Sequence, residues 1–282
     1  MVNKTFCIAD VRVRFISESK IEDSRFFDAF RADDASPDVT VTVKRGSLPS
    51  QQGRLLLQTE RSSTMLDGNI LRTYSAYYDA KENKYRDYAC LSKGPDGFLL
   101  TVDHENGLWD SMLMTAVDTP GILLQYGAAV LHASFVIVNG EALLFTGRSG
   151  IGKTTQAELW RKYRHAELVN GDRAALKYRD GRLYAWGVPF CGSSNTALNK
   201  SAPVKAVVSL AQSYKNMLRP MTAAEGFAVL MSGFSYEPHS DEQSRRAADI
   251  AAEASAEKVF CSFGCLPDES AVNALEAGLW EK

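Results

Sequence analysis

The chain has 282 residues, 45% apolar and 23% charged, and its 32 lysines and arginines nearly cancel 34 aspartates and glutamates, leaving a formal charge of -2. This is the make-up of a globular protein of roughly one or two domains at about 150 residues each, and it excludes a chain disordered throughout. Proteins whose main partner is nucleic acid or an anionic membrane carry a net basic field; none is present, so neither partner is expected.

The most apolar stretch, residues 121–138, is interrupted by Gln125, Tyr126, Gly127 and His132 before reaching the ~20 residues of a membrane span. The amino terminus lacks a long apolar run and meets Asp10, Arg12 and Arg14 early, so a cytoplasmic location is expected. Five cysteines, Cys7, Cys90, Cys191, Cys261 and Cys265, are odd in number and scattered, which argues against a disulfide framework. Only Cys261 and Cys265 are close, and no second pair or spaced histidine completes a zinc site.

In chain order, residues 6–16, 39–44, 54–58, 70–78 and 98–102 are β-rich runs, broken at Ser36-Pro37, Asp67-Gly68 and Pro95-Asp96-Gly97. They predict a mostly antiparallel sheet. This half shows no nucleophile beside a base, and Asp103-His104-Glu105 reads as a solvated loop. Residues 108–129 predict a helix kinked at Pro120-Gly121.

From Leu131 the pattern changes. Two apolar strands, 134–138 and 141–146, flank Asn139-Gly140, and a second such pair, 174–178 and 182–186, flanks Asp180-Gly181. Both predict two-residue hairpins. Between them, 154–163 reads as a helix with Arg161, Lys162 and Arg164 at its carboxyl end, where cations favour the helix dipole. Strands at 204–210 and 258–263 and helices at 223–231, 242–257 and 269–279 complete an α/β half with a mixed sheet. Phe227, Leu230, Met231 and Phe234 follow helical spacing and read as core. Arg245-Arg246 and the pair Lys215 and Arg219 read as solvated faces.

Gly147-Arg148-Ser149-Gly150-Ile151-Gly152-Lys153-Thr154-Thr155 satisfies G-x-x-x-x-G-K-[ST] at every fixed position. Glycines let successive backbone N–H groups turn toward phosphate oxygens, and a helix amino terminus adds positive partial charge. In this pattern Lys153 reaches the β- and γ-phosphates, and Thr154 presents a hydroxyl to Mg²⁺. An apolar strand leads in and a helix leads out, as the motif requires. ATP and Mg²⁺ are therefore the expected ligands, with residues 147–155 as the nucleotide cradle.

The hairpin running straight into this loop is unusual, because most P-loop proteins place a parallel sheet there. Residues from His132 through Thr155 and on to Asp172-Arg173 resemble the catalytic domain of the HPr kinase/phosphorylase family and the nucleotide domain of phosphoenolpyruvate carboxykinases. In that family a histidine opens the first strand, and His132 precedes Gly147 by fifteen residues. Gly187-Val188-Pro189 and Cys265-Leu266-Pro267-Asp268 further resemble HPr-kinase-like proteins found beside peptide-modification genes. The resemblance covers roughly residues 130–280. It implies a segment 131–282 forming a P-loop kinase-like domain, a helical connector at 108–130, and a β-rich region at 1–107 for substrate or partner recognition.

The family's acid centre is a pair of adjacent aspartates, one a base and one a metal ligand. The resemblance aligns Asp172 with the metal-holding aspartate and Gly171 with the base. Asp172 then serves both roles, His132 acts as base, or nucleotide binds without fast transfer. Arg148 and Arg173 are candidates for stabilising transferred charge, and Lys200 and Lys205 for reaching a phosphate or acceptor.

The expected activity is ATP- and Mg²⁺-dependent transfer of a phosphoryl group to a hydroxyl of a peptide, small protein or small molecule. Lys153, Asp172 and His132 are the catalytic candidates, and Thr154 and Asp172 the metal ligands. The alternatives are a nucleotide-binding regulatory protein with little transfer, and, ranked low, a decarboxylating carboxykinase. Whether the chain forms a homo-oligomer is not legible in the sequence.

Overall fold

The strand β2 (Val11–Ser17) buries every second residue, the period-two pattern of a strand with one face on a core. It belongs to the first of two compact units, Met1–Ile122 and Leu123–Lys282, in a computed structural model that describes residues 1–33, 35–95, 97–104 and 107–280. The chain is a mixed α/β protein.

In the first unit β2 pairs antiparallel with β1 (Val2–Ile8). Their turn, Ala9-Asp10, has φ of 51 and 59, so the single run expected over 6–16 is a hairpin. It carries neither Asn nor Gly, the usual sequence signal for such a turn. Next come β3 (Ile21–Glu22), β4 (Val39–Arg45), β5 (Arg54–Gln58), β6 (Ser62–Asp67), β7 (Ile70–Asp79), β8 (Lys84–Gly94), β9 (Gly97–Val102) and β10 (Leu108–Trp109). The main sheet runs β1-β2-β4-β9-β8-β7-β6-β5. It is antiparallel except at β2–β4 and β4–β9, which are parallel. The sequence signal missed β6 and β8, whose Ser, Asp and Lys content lowers intrinsic strand preference; pairing on both sides of each overrides it.

His104 is not simply solvated, because its ring packs edge-on to Tyr77 at 5.6 Å. Its neighbour Glu105 and the Asp96 of the expected turn lie outside the described residues. The helix expected over 108–129 is also corrected. It is two short helices, α1 (Asp110–Ala116) and α2 (Thr119–Gln125), after which Ala128 already belongs to a strand. The break falls at Asp118, with φ 52, whose Oδ1 accepts the Gly121 N–H at 3.2 Å. Pro120 sits in the first turn of α2, where it has no helical N–H bond to lose.

The second unit follows β11 (Ala128–Val138), β12 (Glu141–Thr146), α3 (Lys153–Arg164), β13 (Glu167–Asn170), β14 (Arg173–Arg179), β15 (Arg182–Gly187), β16 (Ser201–Gln212), β17 (Met217–Pro220), α4 (Ala223–Gly233), α5 (Asp241–Ser255), β18 (Phe260–Cys265) and α6 (Glu269–Trp280). Both predicted hairpins form, with positive φ at Asn139 and Gly140 and at Asp180 and Gly181. Two long strands change partners along their length. One side of β11 pairs with β14 over residues 128–132 and with β13 over 135–137, and its other side pairs with β12 over 133–138. β16 pairs first with β15, then runs parallel to β12 and β18.

Both faces of the sheet around β12 are buried. Ala142 and Leu144 join a core with Leu230, Phe234 and Ala247 under α4 and α5. Leu143 and Phe145 join another with Trp160, Val272 and Leu275 under α3 and α6. Burial on both faces accounts for the continuous apolar runs of these strands. The carboxyl ends of the parallel β12, β16 and β18 therefore open at one edge, where ligands of α/β sheets collect. Among the described residues no helix is long and apolar enough to cross a membrane.

Candidate functional site

The loop that leaves β12 turns through Gly147, Gly150 and Gly152, with φ of 138, 75 and 112. These are backbone conformations that other residues adopt only with strain. Ile151 packs into the core beneath, while Arg148, Ser149 and Gly150 are exposed. Gly152 leads into α3 without a side-chain cap, and the first turn of α3 carries no acidic residue. The amino-terminal N–H groups and the positive end of the dipole are thus left for an anion.

Lys153 spans the loop. The residue is 7% exposed, and its ammonium donates to the carbonyl oxygens of Gly147 at 3.0 Å and Arg148 at 3.1 Å. Burial pushes its pKa down, and the nearby Asp172 opposes that shift. The ammonium of a buried lysine whose hydrogen-bond partners among the described residues are neutral carbonyls gains from an incoming negative oxygen. Thr154 and Thr155 are exposed on the same first turn. The Thr154 hydroxyl donates to the Gly171 carbonyl at 3.3 Å, which leaves its lone pairs available to a cation.

His132 is the last residue of β11 paired with β14, opposite Arg173, and the next residue, Ala133, begins the pairing with β12 on the other side of the strand. Its carbonyl accepts the Thr146 hydroxyl at 2.9 Å, tying it to the end of β12. Its Nδ1 lies 3.5 Å from Asp172 Oδ1, and Arg173 Nε donates to Asp172 Oδ2 at 3.3 Å. The imidazole pKa is lowered, first by burial and then by Lys153, with Asp172 acting in the opposite direction. The neutral ring is therefore favoured. Lys153, Thr154, Asp172, Arg173 and His132 are thus gathered at the carboxyl edge of β12.

Asn170, not singled out by sequence reasoning, positions this acid group. It is fully buried and makes four hydrogen bonds. Its Oδ1 accepts the N–H groups of Asp172 and Arg173, each at 2.9 Å, and its Nδ2 donates to the carbonyls of Val188 at 2.8 Å and Phe190 at 3.0 Å. The signal was present in Asn-Gly-Asp, since Asn often bonds backbone two residues on. Val188, in the Gly187-Val188-Pro189 run, serves as one of its acceptors.

Gly171 does not leave room for a ligand group. A Cβ there would lie 2.2 Å from the Cβ of Ser194. The Ser194 hydroxyl accepts the Gly171 N–H at 3.2 Å and donates to Cys191 O at 2.6 Å, while Ser134 donates to Gly171 O at 2.7 Å. Two other candidates lie elsewhere. Lys200 pairs with Glu167 at 2.5 Å and Lys205 with Glu141 at 3.7 Å. Glu167 and Glu141 are the first residues of β13 and β12, so both lysines sit away from the loop's end of β12.

No group of three or more His, Cys, Asp or Glu side chains able to hold a metal occurs among the described residues. A Mg²⁺ ion that arrives with phosphates needs only one or two protein ligands, and Asp172 with Thr154 supply an oxygen pair of the right chemistry. No protein-family model matches this chain and no curated protein matches it. Among solved structures, an HPr(Ser) kinase/phosphatase from Coxiella burnetii aligns at 19% identity and a TM-score of 0.25, over 33% of this chain and 76% of that one. That likeness is too slight to carry a fold or a function.

Proposed function

We propose that the chain is a P-loop phosphotransferase of the HPr-kinase-like type, moving the γ-phosphoryl group of ATP to a hydroxyl on a peptide, small protein or small molecule. The observation that carries this reading is Lys153: a buried lysine whose ammonium, among the described residues, is hydrogen-bonded to carbonyls and laid across an uncapped helix start. The carboxylate of Asp172, between β13 and β14, and the imidazole of His132 on β11 lie near enough to act on it electrostatically.

In this reading Lys153 exchanges its carbonyl contacts for phosphate oxygens, and the first turn of α3 donates to the same group. Thr154 Oγ1 and Asp172 would hold Mg²⁺, which when bound would supply charge neutralisation on the phosphates. His132, with Nδ1 toward Asp172, offers Nε2 to take the acceptor's proton, in place of the aspartate the family would carry at position 171. Phosphoryl transfer depends mainly on positioning and charge neutralisation, so one base suffices. A second reading, nucleotide binding without fast transfer, is favoured by Ser194, which fills the place of a second carboxylate.

The test is thermal stabilisation. At one hundred times its dissociation constant a ligand adds about 2.7 kcal/mol, so Mg-ATP raises the melting temperature. Lys153→Ala abolishes the rise, and Asp172→Asn abolishes the part that depends on Mg²⁺. No rise with any nucleoside triphosphate would sink both readings.

A further inference from the structure

We propose that the loop between β16 and β17, which crosses the carboxyl end of β18, is, through the ring of Tyr214, the platform on which the base of the bound nucleotide stacks. This rests on the phosphate-loop reading above and extends it to the nucleoside. The direction comes from topology. Asp172 and His132 lie on the β11 and β14 side of β12. A triphosphate with its metal-bearing end toward Asp172 must run its nucleoside the other way, toward β16 and β18.

The loops after those strands open at the same edge, because β12, β16 and β18 are parallel. They are joined to the cradle by bonds. A Cβ on Gly147 would lie 3.4 Å from the Leu210 carbonyl of β16. Gln156, in the first turns of α3, donates to Leu266 O at 3.1 Å. The N–H of Leu266 in turn donates to Asn216 Oδ1 at 2.9 Å, and Asn216 Nδ2 donates to Ser270 Oγ at 2.7 Å. Ser213 is fixed at the other side of the turn, its N–H donating to Cys265 O at 3.4 Å.

Between these two anchors Tyr214 is 91% exposed, and Met217 follows at 56%. Of the large apolar side chains exposed among the described residues of this unit, only Tyr126 lies elsewhere. An aromatic ring held in water by a tethered backbone offers an open π-face at little ordering cost. Stacking of a base on such a ring tolerates any base.

Calorimetric titration with Mg-ATP and with Mg-tripolyphosphate, which has the phosphates but no base, separates the two proposals. Wild type is expected to bind ATP more tightly than tripolyphosphate. Tyr214→Ala weakens ATP binding about tenfold, within the range for loss of one base stack, and leaves tripolyphosphate binding unchanged; Tyr214→Phe keeps wild-type affinity for both. Unchanged ATP affinity in Tyr214→Ala overturns the platform, as does equal binding of the two ligands by wild type. If wild type binds neither, the phosphate-loop reading falls and the platform falls with it. Tyr214 buries almost no surface, so an unchanged melting temperature of the free variant shows that folding is not the cause.

Discussion

The Cβ of Ser194 stands 2.2 Å from where a side chain at Gly171 would begin. The two residues are complementary, one lacking a side chain and the other occupying its space while its hydroxyl accepts the glycine's N–H. A resemblance in sequence places an acidic base at position 171, and the packing shows why none can stand there beside Ser194.

Gly171→Asp therefore does not restore a two-carboxylate centre. It is expected to lower the melting temperature, through overpacking that typically costs about 1–3 kcal/mol, without raising turnover. Adding Ser194→Gly opens the space and recovers part of the loss, so the double mutant is more stable than the sum of the single changes allows. Thermal denaturation of the four proteins measures this, and strict additivity would disprove the contact.

His132→Gln separates the transferase from the binding protein. The variant keeps the Mg-ATP-induced rise in melting temperature, since Lys153 and the α3 terminus remain. Steady-state phosphoryl transfer falls roughly 10²–10⁴-fold, the usual contribution of a general base. Equal turnover in the two proteins removes His132 from the chemistry.

Lys4 and Asp110 form a buried ion pair at 2.8 Å, with side chains 7% and 0% exposed. Asp110 also accepts the Ser24 N–H, and Lys4 donates to the carbonyls of Ile21 and Glu22. Lys4→Met strands a buried carboxylate and is expected to cost about 3–5 kcal/mol in denaturant unfolding. The double change Lys4→Met with Asp110→Leu costs less than Lys4→Met alone, because it leaves no unpaired charge. A double change that costs as much as both single changes added would refute this account.

Much of the second unit was legible because local chemistry and tertiary context agree there. Asn139-Gly140 and Asp180-Gly181 adopt the left-handed backbone their hairpins require, and the loop from Gly147 needs its glycines whatever surrounds it. The first unit was less legible. Ala9-Asp10 makes a tight turn without Asn or Gly, β8 is a strand despite its polar start, and Asp118 breaks a helix two residues before the proline that marks it. In β8 the pairing with β7 and β9 supplies what local preference lacks, and at Asp118 the side chain's bond to the Gly121 N–H does.

For the site, the sequence alone determined the glycine loop from Gly147 to Thr155, because its turns lie within nine consecutive residues joined by backbone geometry. It could name His132 and Asp172 only through resemblance. Their 3.5 Å approach arises because His132 of β11 pairs with Arg173 of β14, the neighbour of Asp172, a property of strand pairing rather than of neighbouring residues. The same holds for Asn170 gripping the carbonyls of Val188 and Phe190, for Ser194 filling the space at Gly171, and for Tyr214 reaching the edge that holds the loop. Each depends on strands far apart in sequence lying side by side, and only the folded sheet decides which strands those are.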